Sequence, residues 1–469
     1  MSRSKKIYIL LGVLLLVCLA VFGVGRYEER KERIKNSDEI ILEVPGDDVI
    51  SLSWEYEGEN GKETLAFHKG EKWIYDEDET FPVNEEKVAD LLGWFEQFGV
   101  SFVIEDVEDF GQYGLDDPVC VIGLGTEDET YEIRLGDYST MDAKRYVSVG
   151  GKDVYLVEHD PFEDYEVTIR DMILHDQIPW FSDVEEIQFA GAENYTVTRE
   201  EESAHAYNED DIYFSKQEEE TLPLDTGNVN NYLQTMQGLD LTDYVSYNVS
   251  EEELSGYGLD DPELAVTVRY TVEDTDEKSE DKRKDGKAAQ TFTLYVSRDD
   301  AAAETDEEVP AYVRIGDSQI IYEIPESSYQ ALMDASCNTL RHQEILPVDL
   351  NDITQLEISL EDRDHLLASE TEDEETIWYY QEKEVDVADV KSALTLLRAD
   401  EFTDEKPSQK QEIALTVHLN NENYQEMKIE LYRYDGERCL AVVDEKPLAL
   451  VERGYVVDLM EAVNGIVLN

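Results

Sequence analysis

Three stretches of the chain share one spacing of apolar residues. In the first stretch, Val49, Leu52 and Trp54 stand at positions i, i+3 and i+5. The same spacing recurs in Val184–Phe189 and in Ile353–Ile358. Each pattern predicts a turn into a strand whose alternate side chains face a core.

An aromatic cluster and a helix start follow each of these strands. The clusters are Trp73-Ile74-Tyr75, Tyr213-Phe214 and Trp378-Tyr379-Tyr380. The helix starts are Val83-Asn84, Leu224-Asp225 and Val385-Asp386, with Val88, Val229 and Val390 four residues after the Asn or Asp. A short polar residue before an apolar period predicts an N-cap, with the flanking apolar pair as a staple. We expect the first helix to present one apolar face made of Val88, Leu91, Leu92, Phe95 and Phe98.

A second helix is predicted at the end of each copy, near Pro161–Leu174, Pro325–Leu340 and Gly454–Val463. The chain is therefore predicted to hold three tandem modules, residues 38–180, 181–346 and 347–469, the last a degenerate copy. The expected fold class is α+β, with β-rich modules of antiparallel sheets and packed helices. The second module carries a charged, apolar-poor insertion near 271–290, which we interpret as a disordered hairpin tip.

The hexapeptide YGLDDP occurs twice, at Tyr113–Pro118 and at Tyr257–Pro262, each time before a predicted strand. Gly114 and Gly258 permit a positive φ, and proline forces extended geometry on the aspartate before it. A turn therefore explains every residue of the motif without chemistry. A cation site at each aspartate pair is the alternative hypothesis, but no further ligands stand at the spacing of a calcium loop.

An uncharged apolar run, Ile7–Gly25, follows three basic residues near the start of the chain. About 20 apolar residues suffice to cross a bilayer as a helix, and no clean cleavage site follows the run. We expect residues 1–37 to form a cytoplasmic tip, a transmembrane signal anchor and a charged stalk. The expected location is a single-pass cell-membrane protein with the bulk of the chain extracytoplasmic. Basic residues flank both ends of the run, so the opposite orientation stays open.

The net charge narrows the classes of partner. The chain has 111 Asp and Glu against 39 Lys and Arg, a formal charge of −72. Such a polyanion repels phosphate backbones, which argues against nucleic acid as a partner. A solvated acidic surface is the default interpretation, and capture of divalent cations by that surface is the alternative. The cysteines Cys18, Cys120, Cys337 and Cys439 form no CxxC pair, so zinc and thioredoxin-like motifs have no sequence support.

These features together resemble the bacterial family of the domain of unknown function DUF4340. The resemblance is carried by the apolar run, by the W-x-Y clusters with capped helices, and by YGLDDP before a strand. It implies an accessory role in the cell envelope, beside ABC-type export or gliding-related membrane components. It carries over no catalytic residue.

The sequence contains none of the common catalytic motifs: no Walker loop, dinucleotide fingerprint, G-x-S-x-G or HExxH. The seven histidines do not cluster along the chain, and we interpret them as surface or loop residues: His68, His159, His175, His205, His342, His365 and His418. We therefore predict no catalytic residues, no cofactor and no metal ligands. The expected function is a non-enzymatic binding or scaffold protein, with an ABC-type transporter or another envelope protein as partner. The alternative is a cell-envelope glycan hydrolase or glycan-binding protein that uses paired carboxylates.

Overall fold

Strands dominate the computed structural model, which describes residues 33–58, 61–217, 220–273, 287–298, 309–372 and 375–468. Strands make up 44% and helices 19%, and the strands form three nine-stranded antiparallel sheets. The predicted α+β class is therefore wrong, and the fold is mostly β. The reason is that the helix expected near Pro161–Leu174 is only the single turn Phe162–Tyr165 followed by the 3-10 turn Ile169–Met172.

The first sheet lies within residues 33–157. Its strands are β1 (Arg33–Leu42), β2 (Val49–Gly58), β3 (Gly61–Lys69), β4 (Trp73–Tyr75), β5 (Phe98–Glu105), β6 (Cys120–Thr126), β7 (Thr130–Ser139), β8 (Lys144–Ser148) and β9 (Val154–Val157). They pair in the order β1-β5-β9-β8-β7-β6-β2-β3-β4. The helices of this part are α1 (Glu85–Gly93) and α2 (Phe162–Tyr165).

The second sheet contains β10 (Val184–Gly191), β11 (Tyr195–Arg199), β12 (Tyr213–Gln217), β13 (Glu220–Leu224), β14 (Tyr244–Ser246), β15 (Leu264–Glu273), β16 (Lys287–Arg298), β17 (Ala311–Ile315) and β18 (Ile321–Ile324). Its helices are α3 (Thr226–Gln237), α4 (Glu326–Met333) and α5 (Cys337–Leu340). Strands β15 and β16 occupy both ends of the insertion predicted near 271–290, so those ends are ordered β structure. Residues 274–286 lie outside the described residues.

The third sheet contains β19 (Ile353–Leu360), β20 (Arg363–Glu372), β21 (Glu375–Tyr380), β22 (Lys383–Val385), β23 (Glu401–Phe402), β24 (Gln411–Leu419), β25 (Glu426–Arg433), β26 (Arg438–Val443) and β27 (Lys446–Glu452). Its helices are α6 (Ala388–Leu396) and α7 (Arg453–Val467).

The three sheets repeat one strand order. The second runs β13-β12-β11-β10-β15-β16-β17-β18-β14, and the third follows it strand for strand as β22-β21-β20-β19-β24-β25-β26-β27-β23. The first sheet takes the same path from β4 to β5, and it adds β1 at one edge where the others add a strand at the opposite edge. By compactness the chain divides into two units, residues 1–175 and 176–469, the second of which holds two sheets. The predicted module boundaries stay a prediction.

The i, i+3, i+5 spacing does place alternate residues in the core. Leu52 and Trp54 on β2 are buried, as are Ile187 and Phe189 on β10 and Ile358 on β19. Neighbouring residues on each strand point to the opposite face, which is the period expected of a half-buried strand.

Two of the three predicted helix caps are present as expected. The Asn84 side chain accepts hydrogen bonds from the backbone of Glu86 and Lys87, and Asp225 accepts one from Asn228. The third helix begins one residue late, with Val387 as its N-cap. Helix α1 ends at Gly93, so Phe95 and Phe98 lie beyond it, although both are buried.

Both copies of YGLDDP form the same turn. Gly114 and Gly258 each end a 3-10 helix with φ of 69°, in the left-handed region. A strand packs tightly on each turn, β7 on the first and β16 on the second. A Cβ on Gly114 would lie 2.8 Å from the Asp137 nitrogen, and one on Gly258 would lie 2.7 Å from the Arg298 carbonyl oxygen. The turn interpretation is therefore confirmed, and the four aspartates of the motif are exposed.

Within the described residues no helix has the length and apolar character needed to cross a membrane. The longest of them, α7, has 15 residues. At 1.5 Å per residue it reaches only about 22 Å, against a bilayer core of about 30 Å. The apolar run Ile7–Gly25 lies outside the described residues. The structure therefore gives no support to the predicted signal anchor or to the single-pass membrane location, and both are withdrawn.

Candidate functional site

Backbone pairing within residues 176–469 brings a helix start next to a distant segment of the chain. Leu224 pairs with Arg341 through an isolated antiparallel bridge. The Asp225 N–H donates to the Leu340 carbonyl at 3.0 Å. The N-cap of α3 thereby comes beside the residue that follows Arg341, which is His342.

Asp225 uses its two carboxylate oxygens differently. Its Oδ1 accepts the backbone N–H of Asn228 at 3.0 Å and so caps α3. Its Oδ2 lies 3.8 Å from His342 Nδ1. Because the cap bond fixes the side-chain rotamer, Oδ2 is held in place facing the imidazole ring.

The Glu344 carboxylate faces the same ring nitrogen. Glu344 lies two residues after His342 and forms an isolated bridge with Arg398. Its Oε1 is 2.7 Å from Arg398 Nη1, and its Oε2 is 4.0 Å from His342 Nδ1. Residues i and i+2 of an extended segment share a face, which explains how both side chains meet.

The second nitrogen of His342 contacts a buried carboxylate. Its Nε2 lies 2.9 Å from Oδ1 of Asp211, and the side chains of His342 and Asp211 are 11% and 2% exposed. The other oxygen of Asp211 accepts the backbone N–H groups of Tyr207 and Asn208 at 2.8 and 3.2 Å. Since an ionised carboxylate only accepts hydrogen bonds, Nε2 carries the hydrogen. Nδ1 is the ring atom that faces Asp225 and Glu344.

The aromatic ring of Tyr207 packs against the imidazole. Tyr207 meets His342 edge to face with ring centroids 5.7 Å apart, and it packs on Tyr424 at 4.8 Å. Burial raises the pKa of Tyr207 to about 12, so its hydroxyl stays neutral at pH 7. The Arg341 guanidinium lies 4.2 Å from the centre of the Phe402 ring, and burial lowers its pKa.

Hydrogen bonds from the turn between β24 and β25 hold the loop that carries Asp211. Asn421 donates to the carbonyl of Tyr207 at 2.9 Å. Asn423 donates to the carbonyls of Ser203 and Ala206 at 3.1 and 3.0 Å. The Tyr424 hydroxyl donates to the His205 carbonyl at 3.0 Å. The second and third sheets are therefore joined by a polar contact that also fixes the His342 site.

The site was missed at the level of sequence because its members are far apart along the chain. His342 lies in a loop, as interpreted, but its side chain is only 11% exposed and contacts a buried carboxylate. His68 and His365 do have simple local partners, Asp76 at 2.6 Å and the Tyr380 hydroxyl at 2.9 Å. The structure shows that the pairing of helix start with copy end recurs in the first repeat, where Val83 pairs with Ile173.

Comparison with known proteins gives one match. A family model described as "Domain of unknown function (DUF4340)" matches residues 73–211 and 216–416, which is more than half of the chain. All four residues of the site lie within the matched stretches: Asp211, Asp225, His342 and Glu344. No curated protein and no solved structure matches the chain.

Proposed function

Since this chain belongs to the DUF4340 family, whose function is unknown, we propose that it acts as a non-enzymatic binding or scaffold protein. The observation that carries the proposal is the contact between the second and third sheets. Its asparagines and Tyr424 bind backbone carbonyls of the loop 203–211 and leave that loop fixed before any partner arrives. A surface that is already ordered loses little conformational entropy on binding, which suits recognition of a folded partner.

The partner class follows from charge. A formal charge of −72 favours association with a protein that presents a basic surface, because complementary potentials steer encounter and suppress wrong partners. An ABC-type transporter component or another envelope protein is the partner class that we propose. Nucleic acid is disfavoured because the same charge repels its phosphates.

The test is chemical crosslinking of the full chain in its native cells, followed by capture and identification of bound proteins. We expect one basic protein to be enriched, and its recovery to fall as salt screens the charges. The double variant Asn423→Ala, Tyr424→Phe should weaken capture, because it loosens the contact between the sheets. Asn194→Ala, at an exposed turn of the same unit, should not. Equal capture by all three proteins, or no enriched protein, would remove the proposal.

One candidate pair for the hydrolase alternative is Asp225 and Glu344. One oxygen of Asp225 caps α3 and one oxygen of Glu344 is paired with Arg398, and both remaining oxygens face His342. Neither carboxylate is therefore placed to give a proton to a glycosidic oxygen. Glycan release by the purified protein that disappears in Glu344→Gln would replace the scaffold proposal.

A further inference from the structure

We propose that Asp225, His342 and Glu344 form a binding site for one divalent transition-metal ion, with zinc as the best match. The three donor atoms are His342 Nδ1, Asp225 Oδ2 and Glu344 Oε2, and these groups lie within 4.8 Å of one another. Two zinc bonds of about 2.1 Å at the tetrahedral angle hold their donor atoms about 3.4 Å apart. The separations from Nδ1 to the two oxygens, 3.8 and 4.0 Å, are slightly longer, so small movements of the two carboxylates would complete the site.

The same distances are too long for direct hydrogen bonds, which end near 3.2 Å. Neither carboxylate oxygen therefore takes a direct hydrogen bond from Nδ1. The two carboxylates that face this nitrogen repel one another, and their partial burial strengthens that repulsion. A cation between the three atoms converts that repulsion into three attractive contacts.

The groups behind the donor atoms hold them in place. Ligating histidines usually donate their other N–H to a carboxylate, and His342 does so to Asp211. The second oxygen of Asp225 is fixed by the Asn228 N–H, and that of Glu344 by Arg398. Each donor is therefore oriented without the ion.

The donor set selects the type of ion. One imidazole nitrogen and two carboxylate oxygens suit zinc and its first-row neighbours, whereas calcium and magnesium take oxygen ligands. Three protein ligands leave a fourth position for water or for a group from a partner. Exposed carboxylates elsewhere on this acidic chain bind hard cations weakly, so competition with magnesium separates the two kinds of binding.

The experiment titrates zinc into the chelator-stripped full chain at physiological salt, with excess magnesium present and a chromogenic chelator as competitor. We expect one tightly bound equivalent. Cobalt in place of zinc should give visible absorption typical of low-coordinate nitrogen and oxygen ligation. Binding that excess magnesium abolishes, or no bound equivalent, would overturn the proposal.

Matched variants assign the ion to these residues. Asp225→Asn keeps the ability to cap α3 and removes a ligand charge, and Glu344→Gln removes a ligand charge together with the ion pair to Arg398. We expect each to weaken zinc binding by at least the ~10–100-fold typical of lost supporting contacts, and Asp211→Asn by about that range. The control is His418→Asn, because Glu357 and Glu426 face opposite nitrogens of that ring at 3.1 and 3.5 Å and cannot share one ion with a single nitrogen. Unchanged affinity in Asp225→Asn and Glu344→Gln, or loss in His418→Asn alone, would refute the assignment.

Discussion

Two places in the molecule share a backbone pairing and differ in chemistry. In the first repeat Val83 pairs with Ile173, and the N–H of the N-cap Asn84 donates to Met172 at 2.8 Å. We call this pairing the first joint. In the second repeat Leu224 pairs with Arg341, and the N-cap Asp225 donates to Leu340 at 3.0 Å. We call this the second joint.

The residue that follows each bridge shows the difference. At the first joint it is Leu174, 52% exposed to solvent. At the second it is His342, whose side chain is 11% exposed and contacts Asp211. The repeated backbone thus brings a helix N-cap beside the end of the copy in both repeats. The side chains at that joint then determine whether it can form a binding site. The hexapeptide YGLDDP shows the opposite case. Its residues are identical in the two repeats, and their role in both is to form a turn.

The largest expected effect is on the turn glycines. Gly114→Ala and Gly258→Ala should each lower the free energy of unfolding by about 2–4 kcal/mol, since φ is 69° at both and the new Cβ would meet backbone within 3 Å. Calorimetry of each variant measures the loss. Gly256→Ala is the control, because a Cβ there meets nothing within 4 Å. A small loss of stability in either variant would mean that the turn does not require the glycine of the repeated hexapeptide.

The next effect contrasts the two joints directly. In the metal-free protein, His342→Ala should cost about 1–3 kcal/mol, because it removes a partner from the buried Asp211 carboxylate. Leu174→Ala, at the corresponding exposed position, should stay within about 0.5 kcal/mol. Denaturant unfolding of both variants checks the difference. Equal costs would show that the second joint has no special chemistry.

Local structure was the part of this molecule that sequence patterns could reach. The strand spacing, the caps at Asn84 and Asp225, and the turns at Gly114 and Gly258 depend on residues a few positions apart. The length of the helices was overestimated because apolar residues such as Phe98 belong to the following strand, where they face the same core. An apolar period alone does not distinguish a helix from a short helix followed by a strand.

The candidate site could not be reached in the same way. Asp211, Asp225 and His342 meet only because strand order and the isolated bridge fold distant segments together. A search of the sequence for closely spaced metal ligands therefore finds His342 among many carboxylates, with no spacing that singles out Asp211 or Asp225. One feature of the sequence did point to the site. His342 and Glu344 stand two residues apart at the end of the second predicted module.

A smaller effect is expected at the contact that supports the second joint. Asn423→Ala removes two hydrogen bonds to the loop 203–211 and should lower stability by about 1 kcal/mol. Amide hydrogen exchange should rise in that loop and at His342 while the first joint stays protected. The exposed Asn194→Ala serves as control. Exchange that rises equally at both joints would mean that the contact does not act locally.

The smallest expected effect on stability at neutral pH concerns two equivalent tyrosines, one in the first repeat and one in the second. Tyr165 and Tyr329 stand four residues after a proline whose carbonyl accepts their N–H. Burial raises the pKa of Tyr165 well above 10, whereas burial and the bond to Glu263 raise the pKa of Tyr329 to about 12.

Because the folded pKa of Tyr329 exceeds the unfolded value of 10.0, its contribution to stability is complete below pH 10. It is lost as pH rises from there towards about 12, since the unfolded chain releases its proton first. Tyr329→Phe should therefore flatten the fall of the urea midpoint over this range, while Leu174→Ala should leave the slope unchanged. An identical slope in Tyr329→Phe and in the wild-type protein would show that this tyrosine ionises as it does in the unfolded chain.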